Sequence, residues 1–534
     1  MARKSSTPKL PPNAAIYPLT FMDMPAALAS MVKAWIVEGI VETEKIREAL
    51  DRVVEKWPTM AGRVEMIGKR RYLVHVPTAL SDLREDYETY CVTSRTSSVP
   101  LSHFIELPLG TFSPCPPVSL FIPDDGRHKL GSLADYAKNG TPITHWHFTY
   151  FPPGPENGEL GYTCIGVTYS HGLFDAVGNS MFLHALDAEL NGKEWTVPWY
   201  PSTPGLHPNP LQEILDEELE KLLEDKERNE ALDALLPWTE AGSKPGSPAT
   251  SRSGFPEDLR RYPPPMKIVN LLQIIVWLIG LFIQKWVYGA STTHVVLPRD
   301  IHTRLANETR KEAEDNGLTD TRISGGDVVL AWLLQSLYKD DPNRNRTVSL
   351  GNVASIRSTY PAKLSNYPHN SVTSISYPIF TTSPSPSPYL HSLSSQPLYQ
   401  IAYTLAKTRA TTSRVDDFLI SYKTSQIVDA QWLGGLALPV TERTDETMLM
   451  TNASIARIAF LGWGPAMKGG KGGRTLTHYR LSPSPIPVVN ILFTNGWLEN
   501  GDLVLNISVT KDKMDRVKAE FGKLVERFGK GGDS

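Results

Sequence analysis

The stretch Val167-Thr168-Tyr169-Ser170-His171-Gly172-Leu173-Phe174-Asp175-Ala176-Val177-Gly178 holds the residues best suited to chemistry. Residues 161–168 are rich in β-branched side chains and read as a buried strand. The strand stops at His171, a Gly-containing turn follows, and Asp175 precedes a helical pattern. An imidazole at a strand end sits at the mouth of a packed sheet, where it can accept a proton near neutral pH. The plainer alternative is a core histidine whose neighbouring Asp175 caps the next helix.

Other candidates carry less. His145 and His147 alternate across a strand and share one face, but no third ligand is spaced for a metal, and none is expected. Lys468-Gly469-Gly470-Lys471-Gly472-Gly473-Arg474 combines backbone amides with three cations, as a pyrophosphate nest would. A surface loop is the better reading. His184 and Trp463 read as packed residues. Cys91, Cys115 and Cys164 are too few and scattered for a disulfide framework, which fits a reducing, cytoplasmic setting.

These residues must be positioned by a large chain. Its 534 residues suffice for two or three hydrophobic cores, and 41% hydrophobic with 21% charged content describes a globular protein. With 54 basic and 57 acidic residues, net charge −3, there is no broad basic field, so nucleic acid is not an expected partner. No secretory signal is expected, because no apolar core follows the polar first residues.

Strand and helix patterns interleave in two blocks. In the first, 43–57 has helical spacing, 60–64 with 71–77 suggests a hairpin, 118–122 and 145–151 suggest strands, and 178–190 a helix. A connector follows, with a charged amphipathic helix over 211–236 and a Gly/Ser/Pro linker over 239–265. In the second block, 293–297, 347–356, 370–377, 488–493 and 503–509 suggest strands, the last two a hairpin. Helices are expected at 300–314, 328–337, 398–407 and 511–528, and a Ser/Pro-rich loop at 381–397. Two α/β domains of similar size are expected, at 1–205 and 291–534, with the connector at 206–290.

Residues 268–283 are almost wholly apolar, with only Asn270 and Gln273 polar. Sixteen helical residues cover about 24 Å, short of a ~30 Å hydrocarbon core.

Leu19-Thr20-Phe21-Met22-Asp23, Trp57 to Arg63 (W-P-T-M-A-G-R), and His171 with Asp175 stand in an order that resembles the L-S-x-x-D, Y-P-L-A-G-R and H-x-x-x-D segments of the BAHD-type acyl-CoA-dependent acyltransferases, fungal secondary-metabolism branch, and more distantly chloramphenicol and carnitine acetyltransferases. Ser324-Gly325-Gly326-Asp327 with Ala331 resembles S-x-x-D-x-x-x-A. Ser355-Ile356-Arg357-Ser358-Thr359 resembles N-x-R-x-R, Tyr367-Pro368-His369-Asn370 resembles Y-x-G-N, and Gly462-Trp463-Gly464 resembles the end of D-F-G-W-G. Residues 501–521 resemble the closing strand and helix. Departures are plain: Phe460 stands for the Asp of D-F-G-W-G, Leu461 for its Phe, His369 for the Gly of Y-x-G-N, and Ser355 and Thr359 for the Asn and second Arg of N-x-R-x-R.

The resemblance implies two chloramphenicol-acetyltransferase-like domains with the active site in a channel between them. It implies His171 as general base, moving an acyl group, acetyl in the simplest case, from coenzyme A to a hydroxyl of a small apolar metabolite. Acyl-CoA would be a co-substrate and no cofactor would be bound permanently. Asp175 would point away and pair with Arg357, supporting the turn together with Gly172. The coenzyme A contacts and the acceptor stay unassigned, and a monomer is expected. Alternatives are a non-catalytic relative and a condensation-type domain. The latter's H-H-x-x-x-D-G fails at both flanks, Ser170 and Ala176. If 268–288 crossed a membrane, His171 and Arg357 would lie on opposite sides. A buried helix, a lid or an interfacial helix therefore remain, the last allowing peripheral membrane contact.

Overall fold

The computed structural model describes residues 10–123, 131–233, 236, 267–342, 345–383, 391–411, 414–430, 436–438, 444–484 and 486–529. The expected linker at 239–265 lies outside them. In chain order the first half has β1 (Ala14–Pro18), β2 (Ser30–Glu38), α1 (Thr43–Lys56), β3 (Arg63–Gly68), β4 (Arg71–Pro77), β5 (Cys91–Thr96), β6 (Phe112–Pro114), α2 (Leu133–Asn139), β7 (His145–Phe151), β8 (Tyr162–Ser170) and α3 (Ala176–Leu190). Between the halves come β9 (Gly205–Leu206), α4 (Pro210–Glu224), α5 (Lys226–Asp233), β10 (Lys267–Val269) and α6 (Leu271–Trp286). The second half has β11 (Ser291–Leu297), α7 (Arg299–Asp315), α8 (Gly325–Leu337), β12 (Thr347–Ser355), α9 (Pro361–Leu364), β13 (Val372–Ser376), β14 (Phe380–Thr381) and β15 (His391–Ser392). It closes with α10 (Leu398–Thr411), α11 (Arg414–Ala430), β16 (Leu436–Leu438), β17 (Glu446–Asn452), β18 (Thr475–Leu481), β19 (Ile491–Trp497), β20 (Leu503–Val509) and α12 (Lys511–Gly529).

Two sheets organise the molecule, each under helices with its own core. One runs β18-β2-β8-β7-β5; its core joins Trp35, Ile165, Val167 and Tyr169 to Leu50, Val53, Phe182 and Leu186 of α1 and α3. The other runs β15-β14-β12-β17-β19-β20-β11-β6, with β13 also on β12, and packs against α7, α8, α10 and α12. The α/β architecture is thus present in both halves, but among the described residues two strands cross between them. β6 joins the second sheet through Phe112 opposite Val295, and β18 joins the first through Arg480 opposite Lys33. The halves are therefore locked by backbone ladders, and the division proposed at 205 and 291 follows chain order, not sheet membership.

Three local expectations are corrected. Residues 118–122 form no strand: a single 3-10 turn covers Val118–Leu120. Pro116 and Pro117 just before it lack the N–H groups a ladder needs. The helix over 211–236 breaks at Asp225, whose carboxylate accepts from Arg228 N at 3.0 Å and restarts the chain as α5. The strand expected at 488–493 runs later, as β19 over Ile491–Trp497, so the hairpin turn lies at residues 498–502.

The apolar segment becomes α6. Its two polar residues form the N-terminal capping box: Asn270 accepts from Gln273 N, and the Gln273 side chain accepts from Asn270 N. The helix is not buried. Leu272 is 69% exposed and Trp286 75%, and Leu281 is its one buried residue. Among the described residues no helix is long and apolar enough to cross a membrane.

Candidate functional site

β8 pairs with β2 in register up to Ser30 opposite Ser170, and His171 N then donates to Ala29 O at 2.9 Å. There the ladder ends. Gly172 N bonds Ser170 Oγ at 3.2 Å and Leu173 N bonds Ser170 O, closing a tight turn. Gly172 has no room for a side chain: a Cβ would stand 2.7 Å from Ala27 Cα. The chain then enters α3, with Asp175 as N-cap accepting from Gly178 N at 2.8 Å. Gly178 is no ordinary loop glycine, since a Cβ there would lie 1.7 Å from Pro368 O.

Asp175 does not meet His171. Its Oδ2 and Oδ1 accept from Arg357 Nη1 and Nη2 at 2.8 and 3.1 Å, a two-pronged ion pair, and Ser371 N adds a bond at 3.1 Å. Arg357 also donates to Tyr367 O through Nε and to His369 O at 2.7 Å. The structure thus brings Asp175 and Arg357 together, with both side chains buried.

His369, where the related motif has glycine, fills the space behind the turn. It stacks on Phe174 at 5.9 Å between centroids, with an interplanar angle of 10°. Its Nδ1 lies 2.8 Å from Leu173 O and its Nε2 2.8 Å from Tyr17 Oη. A carbonyl only accepts, so Nδ1 carries the proton and Nε2 accepts from the Tyr17 hydroxyl. Burial pushes this imidazole down to about 4, consistent with one neutral tautomer.

Asn370 and Asp23 complete the support. Asn370 Nδ2 donates to Asp23 Oδ1 and to His171 O, both at 3.0 Å. Asp23 also accepts from Asn370 N, Thr20 N and Thr20 Oγ1, and burial pushes its carboxyl up to about 7 against the pull of those donors. The motif-like Thr20 and Asp23 therefore hold Asn370, remote in sequence, against the His171 carbonyl.

The His171 ring is half-buried. Its Nδ1 is enclosed with no hydrogen-bond partner, and its Nε2 faces Arg480 Nη2 at 3.5 Å, the long limit of a hydrogen bond. Burial, and then the Arg480 cation, lower its proton affinity to about 4, so the imidazole is neutral near pH 7. Arg480 lies 4.2 Å over the Phe493 ring. Lys33 is buried opposite it on β2, and both burial and the Arg480 charge depress its ammonium. These two cations are the site residues the sequence reading missed. Lys33 stands among Met31, Val32, Ala34 and Trp35 in β2, which is the signal that could have found it, whereas Arg480 follows two threonines and a histidine in β18 and stands out by no such contrast.

Two cavities flank the turn. One of about 840 Å³ reaches Ala29 and Ser482 and is bordered by Trp277, Leu281 and Gln284 of α6. Another of about 500 Å³ reaches Val177 and Arg357 and is edged by Arg409 and Arg414. The imidazole itself lines neither; its neighbours on both sides do.

The other candidates have structural employment. His145 and His147 bond Pro142 O and Thr93 Oγ1, and among the described residues no cluster could hold a metal ion. His184 Nε2 holds Ala456 O at 2.8 Å. Trp463 is buried edge-on against Trp35 at 5.7 Å. In the Lys468–Arg474 loop, Gly470 N and Gly473 N bond Met467 O and Glu38 O, so those amides do not face an anion.

No protein-family model matches the chain. Two curated relatives do. O-acyltransferase pboC of Aspergillus ustus is 27% identical over 347 residues, 62% of this chain and 62% of that protein. Acetyltransferase BOT5 of Botryotinia fuckeliana is 22% identical over 357 residues, 64% of this chain and 56% of that protein. The matches thus span about three fifths of the relatives' lengths. Among solved structures, apo TRI101 of F. graminearum superposes with a TM-score of 0.57 at 13% identity, covering 95% of this chain and 97% of that one. TRI101 of F. sporotrichioides, complexed with coenzyme A and T-2, gives 0.56 at 12% identity, covering 94% and 97%. TRI3, a trichothecene 15-O-acetyltransferase of Fusarium sporotrichioides, gives 0.52 at 9% identity, covering 96% and 94%. The likeness of fold extends over nearly the whole chain.

Proposed function

We propose that this chain is a BAHD-type acyltransferase, which moves an acyl group from coenzyme A to a hydroxyl of a small molecule with His171 as general base. The observation that carries the reading is a neutral imidazole whose backbone is pinned at both ends, His171 N on Ala29 O and His171 O on Asn370 Nδ2, between two cavities. Solved neighbours of this fold hold coenzyme A.

In this reading the acceptor hydroxyl enters between Nε2 and the Arg480 guanidinium. As its oxygen attacks the thioester carbon, Nε2 takes its proton. The tetrahedral oxyanion forms beside a guanidinium, which favours negative charge in a water-poor site. Collapse breaks the C–S bond, and the imidazolium returns the proton to the thiolate, releasing ester and free coenzyme A. No acyl-enzyme forms, so no nucleophilic side chain is needed. Asp175, Arg357 and Gly172 act as positioning residues. The larger cavity under α6 would admit the acceptor; the smaller, with Arg409 and Arg414 at its edge, the thioester. Free-thiol release from acetyl-CoA tests this: His171→Ala should lower it by about 10²–10⁴-fold.

A second reading has its own support. Arg480 covers Nε2 and the ring lines neither cavity, as suits a non-catalytic binding relative. Such a protein would bind acetyl-CoA without His171-dependent thiol release.

The exposed α6 supports peripheral membrane contact. Its apolar side chains surround the helix, Trp286 and Tyr288 stand at one end, and Trp277 and Leu281 border the larger cavity. A helix lying at the lipid surface would deliver an apolar acceptor to that mouth.

A further inference from the structure

Buried cations in this molecule are otherwise matched. Arg357 holds Asp175, Lys513 holds Glu446, and Arg63 is spread over the carbonyls of Ala61, Gly62, Glu88 and Gly140. Lys33, and the half-buried Arg480 beside it, break the pattern. Lys33 is 2% exposed, and among the described residues its ammonium makes no hydrogen bond or ion pair. Among the described residues Arg480 meets no carboxylate; its Nε is enclosed and unpartnered, and its one side-chain hydrogen-bonding neighbour is His171 Nε2.

The two lie directly opposite in the β2–β18 ladder, as do Trp35 and His478 two residues along, whose rings touch at 5.0 Å. Cross-strand partners share a face, so both cations project to the His171 side. Lys33 could shed its proton; arginine does not. The ladder therefore holds a fixed positive charge on Arg480 that no carboxylate among the described residues neutralises, beside an ammonium that burial and that charge depress. A transient oxyanion would stabilise these groups only during turnover. A permanent anion on a bound molecule would do so throughout, and the flat guanidinium fork suits a carboxylate.

We propose that Lys33 and Arg480 form a carboxylate-binding subsite beside His171, so that one of the two reactants carries a carboxylate close to its reacting atom. This rests on the acyl-transfer reading and narrows its substrate class. The carboxylate could belong to the acceptor or to the acyl group, and the two sources separate experimentally.

The acceptor arm measures inhibition of acetyl-CoA thiol release by 4-phenylbutanoate and by 4-phenylbutanamide at fixed ionic strength. The acid should inhibit the wild type at least about tenfold more strongly than the amide, and Arg480→Gln should erase the difference. The donor arm compares kcat/KM for succinyl-CoA with that for butyryl-CoA. A similar preference for succinyl-CoA, lost in Arg480→Gln, would place the carboxylate on the acyl group. If Arg480→Gln does not fold, Lys33→Met is read in the same way. Binding of the acid and amide is also followed by the rise in Tm, so a chain without turnover still answers. Equal inhibition and equal Tm shifts by acid and amide, with equal use of the two thioesters, would overturn the subsite. Thiol release that is absent, or unchanged in His171→Ala, would instead sink the acyl-transfer reading.

Discussion

The two sides of the His171 turn are built on opposite principles. Toward Asp175, the charged groups and the buried imidazole are answered: Arg357 takes both carboxylate oxygens, Ser371 and Gly178 amides add bonds to them, and His369 stands in one tautomer between Tyr17 and Leu173. Toward β18, Arg480 Nε, Lys33 and the His171 Nδ1 have no hydrogen-bond partner among the described residues. A saturated buried network rigidifies; an unsaturated one is costly unless something binds there. One side holds the imidazole still, and in the proposed reading the other receives the reactants.

The most severe break of the holding side is Asp175→Ala. It leaves Arg357 buried and unpaired, so stability should fall by about 3–5 kcal/mol, seen as a large drop in Tm, with activity falling alongside. A variant that kept its Tm yet lost all activity would mean that Asp175 acts in the chemistry itself. Gly178→Ala should follow closely, because its Cβ must displace the Pro368 carbonyl. Denaturant unfolding would show a lowered midpoint, by more than the few tenths of a kcal/mol of a tolerated surface change. Asn370→Ala removes the bridge from Asp23 to His171 O and should cost about 1–3 kcal/mol, with kcat falling more than KM rises.

The receiving side is read by pH. Imidazole proton affinity is lowered here to about 4, so His171 stays neutral and active down through pH 6, and kcat/KM should fall only as pH approaches 4. Burial and the Arg480 and Lys33 charges disfavour the imidazolium, while the Asp175 charge favours it. In Arg480→Gln one opposing cation is gone, so the acidic limb should move upward, toward the ordinary value near 6.5. A limb that does not move would show the guanidinium to be electrostatically idle. The smallest expected effect on turnover is at α6: Leu272→Glu with Val276→Glu should abolish flotation with phosphatidylcholine vesicles while changing acetyl-CoA thiol release less than about twofold.

Most of the scaffold was readable because local rules carry it. Period-2 patterns gave β7, β8, β12 and β20, and period-3.6 patterns gave α1, α3, α8 and α12. The misreadings are equally local: two prolines defeat an apolar run before Val118, and Asp225 breaks one charged helix into two. The candidate site was half legible. His171 and Asp175 stand in one turn with a recognisable spacing. Arg480 sits 309 positions from His171, and no pattern near it says which strand it will face.

The chain alone determined the chemistry available at one turn, an imidazole at a strand end and an aspartate placed to cap α3, because both depend on residues a few positions apart. Only the tertiary structure decided what surrounds them. β18 crosses from the second half into the first sheet, setting Arg480 opposite Lys33, and Asp23 holds Asn370 on the His171 carbonyl. Those placements arise from long-range strand pairing and shared burial, and the free energy that fixes them is spread over two cores rather than written in any short segment.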